Sequence, residues 1–121
     1  MRILVAEDER DIRSMIKFVL ERNGYEVIEA ANGVEALELA KNKSPDAVLL
    51  DVMMPEMDGY QVCLNLRSNP DTQNIPVVFL SAKGQVYEID KGLKSGAIAY
   101  IVKPFAPKEL VAQLKEIFGQ R

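Results

Sequence analysis

DAVLLDVMMPEMDG, residues 46–59, contains the segment that decides the fold. Residues 47–50 form a continuous apolar run followed directly by Asp51, and Pro55 with Asp58-Gly59 marks a loop. A short apolar run without alternation is typical of a strand whose two faces are both covered. The segment therefore predicts a buried parallel strand with a carboxylate at its carboxyl end.

Outward from this strand, short apolar runs alternate with helical patterns along the whole chain. Strands are predicted at residues 3–5, 25–30, 47–50, 75–80 and 97–102. Helices are predicted at about residues 12–20, 32–41, 59–66, 86–93 and 107–118. Such alternation predicts an α/β fold of the (βα)5 type, a doubly wound parallel sheet with helices on both faces. The 121 residues are expected to form one domain, 1–121.

The composition excludes several classes of function. The net charge of −3 provides no basic surface for nucleic acid and no polybasic patch for a membrane. The apolar runs are too short to span a bilayer, and acidic residues at positions 7–9 argue against a signal peptide. The chain has no histidine, which removes Ser-His-Asp and Cys-His catalysis. A single cysteine cannot form an internal disulfide and fits a cytoplasmic location.

Chemically active residues follow the predicted strands. They are Glu7 and Asp8 after the first strand, Asp51 after the third, Ser81 after the fourth and Lys103 after the fifth. In a doubly wound sheet, ligands bind at the carboxyl ends of the strands, so these side chains are expected to converge. Two carboxylates about 4 Å apart repel each other by roughly 4 kcal/mol at an effective dielectric constant near 20. Three of them therefore call for a cation, and hard oxygen ligands suit Mg²⁺.

The order and spacing of these motifs resemble the receiver domain of bacterial two-component response regulators, the CheY-like family. The matching residues are Glu7-Asp8, Asp51, Met54-Pro55 with Asp58-Gly59, Ser81-Ala82 and Lys103-Pro104-Phe105. The resemblance extends from about Ile3 to Phe118 and implies a flavodoxin-like sheet with strand order 2-1-3-4-5. It also implies a signalling switch, which catalyses only its own phosphorylation and dephosphorylation and is no enzyme acting on an external substrate.

The resemblance assigns a role in cation binding to four residues. It implies that Asp8 and Asp51 bind Mg²⁺ directly, together with the backbone carbonyl of Met53. Glu7, which stands where many members of the family have aspartate, is expected to act through a metal-bound water.

The resemblance also assigns the phosphoryl chemistry and the switch. Asp51 is implied as the phosphoacceptor, Lys103 as the partner of the phosphoryl oxygens and Ser81 as their hydrogen-bond donor. Tyr100 is implied as the aromatic residue that rotates when Ser81 moves inward. The surface that changes is expected to consist of the fourth helix, the fifth strand and the fifth helix.

The expected partners follow from this chemistry. The phosphoryl donor is expected to be a sensor histidine kinase or a histidine phosphotransfer protein. The receiving partner is a downstream protein or an output domain. Two readings stay open: a stand-alone regulator, or a receiver module of a larger regulator with a DNA-binding or enzymatic output domain. Ile98 and Ala99 replace acidic residues usual in winged-helix regulators, which favours the first reading or another type of output.

Two other α/β classes fit the residues less well. A flavodoxin-like electron carrier binds a flavin phosphate with hydroxyls and glycines, whereas the first loop here contains Glu7-Asp8-Glu9. A haloacid-dehalogenase-type phosphatase needs a second aspartate two residues after its nucleophile, and here that position is Met53.

Overall fold

A computed structural model of the protein describes residues 1–82, 96–103 and 105–119. Its strands are β1 (Arg2–Ala6), β2 (Glu26–Ala30), β3 (Ala47–Asp51), β4 (Val77–Ala82) and β5 (Ala99–Lys103). Its helices are α1 (Arg10–Arg22), α2 (Gly33–Lys43), α3 (Gly59–Ser68) and the C-terminal helix (Pro107–Gly119). The helix predicted at residues 86–93 lies outside the described residues.

The five strands form one parallel sheet in the order β2-β1-β3-β4-β5, which confirms the predicted topology. The strand order reverses direction between β1 and β3, so the carboxyl ends of these two strands flank the crevice where such sheets bind ligands. Among the described helices, none is long and apolar enough to cross a membrane.

The apolar residues of the strands supply two cores, one on each face of the sheet. Leu50 and Phe79 pack on one face with α2 and α3, while Leu49 and Leu80 pack on the other with α1 and the C-terminal helix. Every residue of β3 is buried as a result. This is the physical reason why the sequence of β3 is uniformly apolar up to Asp51.

The limits predicted for the fourth and fifth strands were wrong by one or two residues. The fourth strand was predicted at residues 75–80 and lies at Val77–Ala82, and the fifth was predicted at residues 97–102 and lies at Ala99–Lys103. Ile75 instead closes a turn, because its amide donates to the carbonyl of Thr72 at 3.1 Å. Both strands extend past the continuous apolar runs on which the predictions rested, because the backbone ladder continues to the pair Ala82 and Lys103.

The loop after β3 is held tightly against the strand by the first residues of α3. Asp58 caps the helix, with its carboxylate accepting from the Gln61 amide at 2.9 Å. The Gly59 amide donates to the Val52 carbonyl at 2.9 Å. A Cβ atom at Gly59 would lie 2.5 Å from the carbonyl oxygen of Asp51, so only glycine fits at this position. The backbone of Asp51 is thereby positioned by α3 as well as by the sheet.

We expect Gly59→Ala to lower the free energy of unfolding by about 1–3 kcal/mol, because the added methyl group meets backbone atoms that cannot rotate away. Urea denaturation measures the change. Gly119→Ala is the matched control, since nothing lies within 4 Å of the added Cβ, and it should stay within about 0.5 kcal/mol of wild type. Equal denaturation midpoints for Gly59→Ala and wild type would contradict the close approach.

Candidate functional site

The residues predicted to converge do lie at one edge of the sheet. Glu7 and Asp8 directly follow β1, Asp51 ends β3, Ser81 is the penultimate residue of β4 and Lys103 ends β5. Glu7 is 0% exposed, Ser81 is 3% exposed and Asp51 is 4% exposed, whereas Asp8 is exposed. The strands thus place three buried polar side chains beside one carboxylate that faces solvent.

Three carboxylates at this edge could share a single cation. One oxygen each from Glu7, Asp8 and Asp51 lies within 4.8 Å of the other two. Among the described residues, Glu7 Oε1 is a buried side-chain oxygen that accepts no hydrogen bond. A buried carboxylate oxygen without a partner is costly unless a ligand satisfies it. The donor set consists of hard oxygens, so it fits Mg²⁺.

Lys103 is the cationic group of the site and bridges two of the carboxylates. Its Nζ lies 2.9 Å from Glu7 Oε2 and 3.2 Å from Asp51 Oδ1. Burial by itself lowers the pKa of the Lys103 ammonium, but the hydrogen bond to Glu7 and the charges of Asp51 and Glu7 outweigh it, so this pKa is raised above its usual 10.5. Lys103 is therefore a permanent positive charge at the edge of the sheet.

Asp51 is held in a state that resists ionisation in the absence of a cation. Burial raises the pKa of its carboxyl, and the charge of Glu7 adds to the rise, from 3.8 to about 7. The Lys103 ammonium and the Met53 amide, which donates to Asp51 Oδ1 at 3.4 Å, oppose the rise without cancelling it. One lysine is thus insufficient compensation for two buried carboxylates, and a divalent cation would supply the missing positive charge.

Met53 was predicted to offer its carbonyl oxygen to the cation. Its side chain is 60% exposed and does not take part in the core. Its amide contact with Asp51 places its backbone beside the carboxylates, and the carbonyl role stays a prediction.

Tyr100 on β5 is partly buried on the face of the sheet that packs against α3. Its hydroxyl lies 3.1 Å from the hydroxyl of Tyr60 in α3. Both rings contact Phe79 of β4, with centroid distances of 5.4 Å for Tyr100 and 5.2 Å for Tyr60. Sequence reasoning missed Tyr60, because a hydroxyl contact between residues 40 positions apart has no local signal. The aromatic row links α3, β4 and β5 directly behind the site.

Comparison with known proteins identifies the family. Residues 3–115 match the response regulator receiver domain. The chain belongs to this family. It is 47% identical over 117 residues to the response regulator MprA of Mycobacterium sp. strain KMS, covering 97% of this chain and 50% of that protein. The receiver thus spans about half the length of the curated relatives it matches.

Solved receiver structures agree with the fold. The chemotaxis response regulator CheY4 of Vibrio cholerae superposes with a TM-score of 0.90 at 32% identity, covering 96% of this chain and 97% of that chain. The receiver domain of the Francisella response regulator 1452 superposes with a TM-score of 0.87 at 35% identity, covering 98% and 97%. These matches confirm the predicted receiver architecture, and the roles of individual residues rest on the geometry above.

The raised pKa of Asp51 predicts how the stability of the cation-free receiver depends on pH. Between pH 3.8 and about 7 the folded state binds a proton that the unfolded state has released, so the free energy of unfolding falls as the pH rises through this range. Asp51→Asn removes the effect. At pH 8 without Mg²⁺ we expect this variant to be more stable than wild type by about 1–2 kcal/mol.

Urea denaturation at pH 5 and pH 8 measures this difference. The advantage of Asp51→Asn should be smaller at pH 5 than at pH 8, because part of the folded wild type then carries the proton. Asp71→Asn, which removes an exposed carboxylate, is the control and should show the wild-type dependence. An advantage of the same size at both pH values would show that Asp51 ionises normally.

Proposed function

We propose that this receiver accepts a phosphoryl group on Asp51 in a Mg²⁺-dependent reaction and signals through the resulting change of its surface. The observation that carries the proposal is the position of Asp51. Its carboxylate is 4% exposed, pairs with the Lys103 ammonium and belongs to a cluster of three carboxylates. Membership of the receiver family supports the same chemistry.

Each residue of the site has a separate role in the proposed phosphoryl transfer. A carboxylate oxygen of Asp51 attacks the phosphorus of a phosphohistidine, forming an O–P bond while the P–N bond breaks and its electron pair stays on the imidazole nitrogen. Glu7, Asp8, Asp51 and the carbonyl of Met53 would hold Mg²⁺. When bound, this ion neutralises the charge that builds up on the phosphoryl oxygens.

Lys103 and Ser81 would act on the transferred group. The Lys103 ammonium already contacts Asp51 Oδ1 at 3.2 Å, and it can pair with a phosphoryl oxygen once the group is attached. Ser81 is buried in β4, one residue before the pair of Ala82 with Lys103, so its hydroxyl is expected to donate to a second phosphoryl oxygen. The domain therefore acts as a switch that modifies itself, with catalysis confined to its own phosphorylation and dephosphorylation.

The phosphoryl donor is expected to be a sensor histidine kinase or a histidine phosphotransfer protein, because the chain itself has no histidine. The receiving partner would be a downstream protein or an output domain, and the chain spans about half the length of the curated relatives it matches. The described part of the predicted output surface exposes Ile98, just before β5, and Val102, within β5, at 41% and 44% exposure. Apolar side chains of this kind favour a protein contact. With a net charge of −3, direct nucleic-acid binding by this domain is disfavoured, and we expect it to work in the cytoplasm.

Intact-mass measurement after incubation with acetyl phosphate or phosphoramidate tests the acceptor. We expect one added phosphoryl group on wild type with Mg²⁺, and none on Asp51→Asn or when EDTA replaces Mg²⁺. Asp58→Asn is the matched control, because asparagine caps α3 as well as aspartate does, and it should be phosphorylated like wild type. A phosphoryl group retained by Asp51→Asn would move the acceptor elsewhere. If the small donors and purified kinases both fail, the chain is a binding module only.

The proposed role of Tyr100 predicts a spectroscopic change. In protein labelled with ring-fluorinated tyrosine, the ¹⁹F resonance of Tyr100, assigned with Tyr100→Phe, should move on phosphorylation. Tyr25 packs against the opposite core and should keep its resonance. Ser81→Ala should abolish the movement, because the buried hydroxyl would no longer be drawn to the phosphoryl group. An unmoved Tyr100 signal at full phosphorylation would remove this residue from the switch.

A further inference from the structure

Arg13 of α1 contacts the backbone of Glu7, next to the candidate cation site. Its Nη1 donates to the carbonyl oxygen of Glu7 at 2.7 Å, and its Nε lies 3.4 Å from Glu29 Oε1. The Arg13 side chain is only 16% exposed. The amide of Glu7 donates to the carbonyl of Ala30 at 3.2 Å. Both ends of the Glu7 backbone are therefore anchored, one to α1 and one to the end of β2.

The carbonyl that Arg13 holds belongs to the peptide bond between Glu7 and Asp8. Because a peptide unit is planar, the position of the Glu7 oxygen sets the direction in which the chain enters Asp8. The Asp8 side chain is exposed, so no surrounding core packs around its carboxylate. Its place within 4.8 Å of Glu7 and Asp51 depends on this backbone geometry.

We propose that Arg13 is a positioning residue for the cation: it fixes the Glu7–Asp8 peptide, and thereby keeps the Asp8 carboxylate in reach of the ion that Glu7 and Asp51 share. The inference rests on the proposed function, since it presumes that these carboxylates bind Mg²⁺. Partners that orient metal ligands commonly change metal affinity by about 10- to 100-fold when they are removed.

A positioning role and a purely electrostatic one predict opposite results. Arg13 carries a positive charge, so if it acted only through its charge, its removal would strengthen the binding of a cation. If it positions Asp8, its removal weakens binding. The sign of the change in Mg²⁺ affinity therefore separates the two roles.

Isothermal titration calorimetry with Mg²⁺ on the full chain makes the test. We expect Arg13→Met to bind Mg²⁺ about tenfold or more weakly than wild type. Arg13→Lys keeps the charge but has one ammonium in place of two separated donors, and we expect it to bind about three- to fivefold more weakly. Lys17→Met is the matched control, because Lys17 lies on the same helix and pairs with Glu21 at the surface, and it should stay within about twofold of wild type.

The outcomes are distinguishable from failure of the proposed function. Wild-type or tighter Mg²⁺ binding by Arg13→Met overturns the inference and leaves the cation site intact. Absence of Mg²⁺ binding by wild type overturns the cation site itself. Urea denaturation without Mg²⁺ shows whether each variant folds. If Arg13→Met does not fold, Arg13→Lys decides: weaker binding supports the positioning role, and wild-type affinity overturns it.

Discussion

Burial of two neighbouring carboxylates, only partly offset by one lysine, is the constraint on which this edge of the receiver depends. Glu7 and Asp51 are both almost fully buried, and the same ammonium of Lys103 contacts both at 2.9 and 3.2 Å. Burial, together with the charge of Glu7, still disfavours ionisation of Asp51, since the pKa of its carboxyl is raised to about 7. Added positive charge would stabilise the ionised form of Asp51, and a divalent cation carries more charge than a single side chain. This edge of the sheet is therefore expected to be most stable with a cation bound.

The rest of the fold keeps these like charges together against their repulsion. β3 carries Asp51 outward from a strand that is buried along its whole length, and Gly59 packs its backbone directly onto the carbonyl of Asp51. On the other side, the turn that carries Glu7 is anchored to the end of β2 and to Arg13. Apolar burial on both faces of the sheet supplies the free energy that holds these backbones in place. The contacts of Lys103 with Glu7 and Asp51 offset part of the cost of burying these two carboxylates.

Behind the charged edge, an aromatic row connects the site to the far side of the sheet. Phe79 is fully buried between Tyr60 and Tyr100, and the two hydroxyls meet at 3.1 Å. Closely packed rings do not shift gradually. A change in the charge at the edge of the sheet is therefore expected either to turn a ring into a new position or to leave it in place. Tyr100 lies two residues from each of two exposed apolar residues, Ile98 just before β5 and Val102 within it. The arrangement connects Asp51, the proposed phosphoacceptor, with the exposed apolar residues Ile98 and Val102.

Local patterns in the sequence determined the fold class and the identity of the charged residues. The apolar run before Asp51 and the alternation of strands and helices are consequences of burial, which acts on each residue separately, and both predictions were confirmed. The limits of β4 and β5 were not predictable in this way, because pairing between the two strands extends them past their continuous apolar runs to Ala82 and Lys103. Only the tertiary structure revealed two further contacts: the one between the hydroxyls of Tyr60 and Tyr100, and the hydrogen bond from Arg13 to the Glu7 carbonyl. A hydrogen bond between distant residues depends on where the chain brings two atoms together, and neither residue type reveals that position by itself.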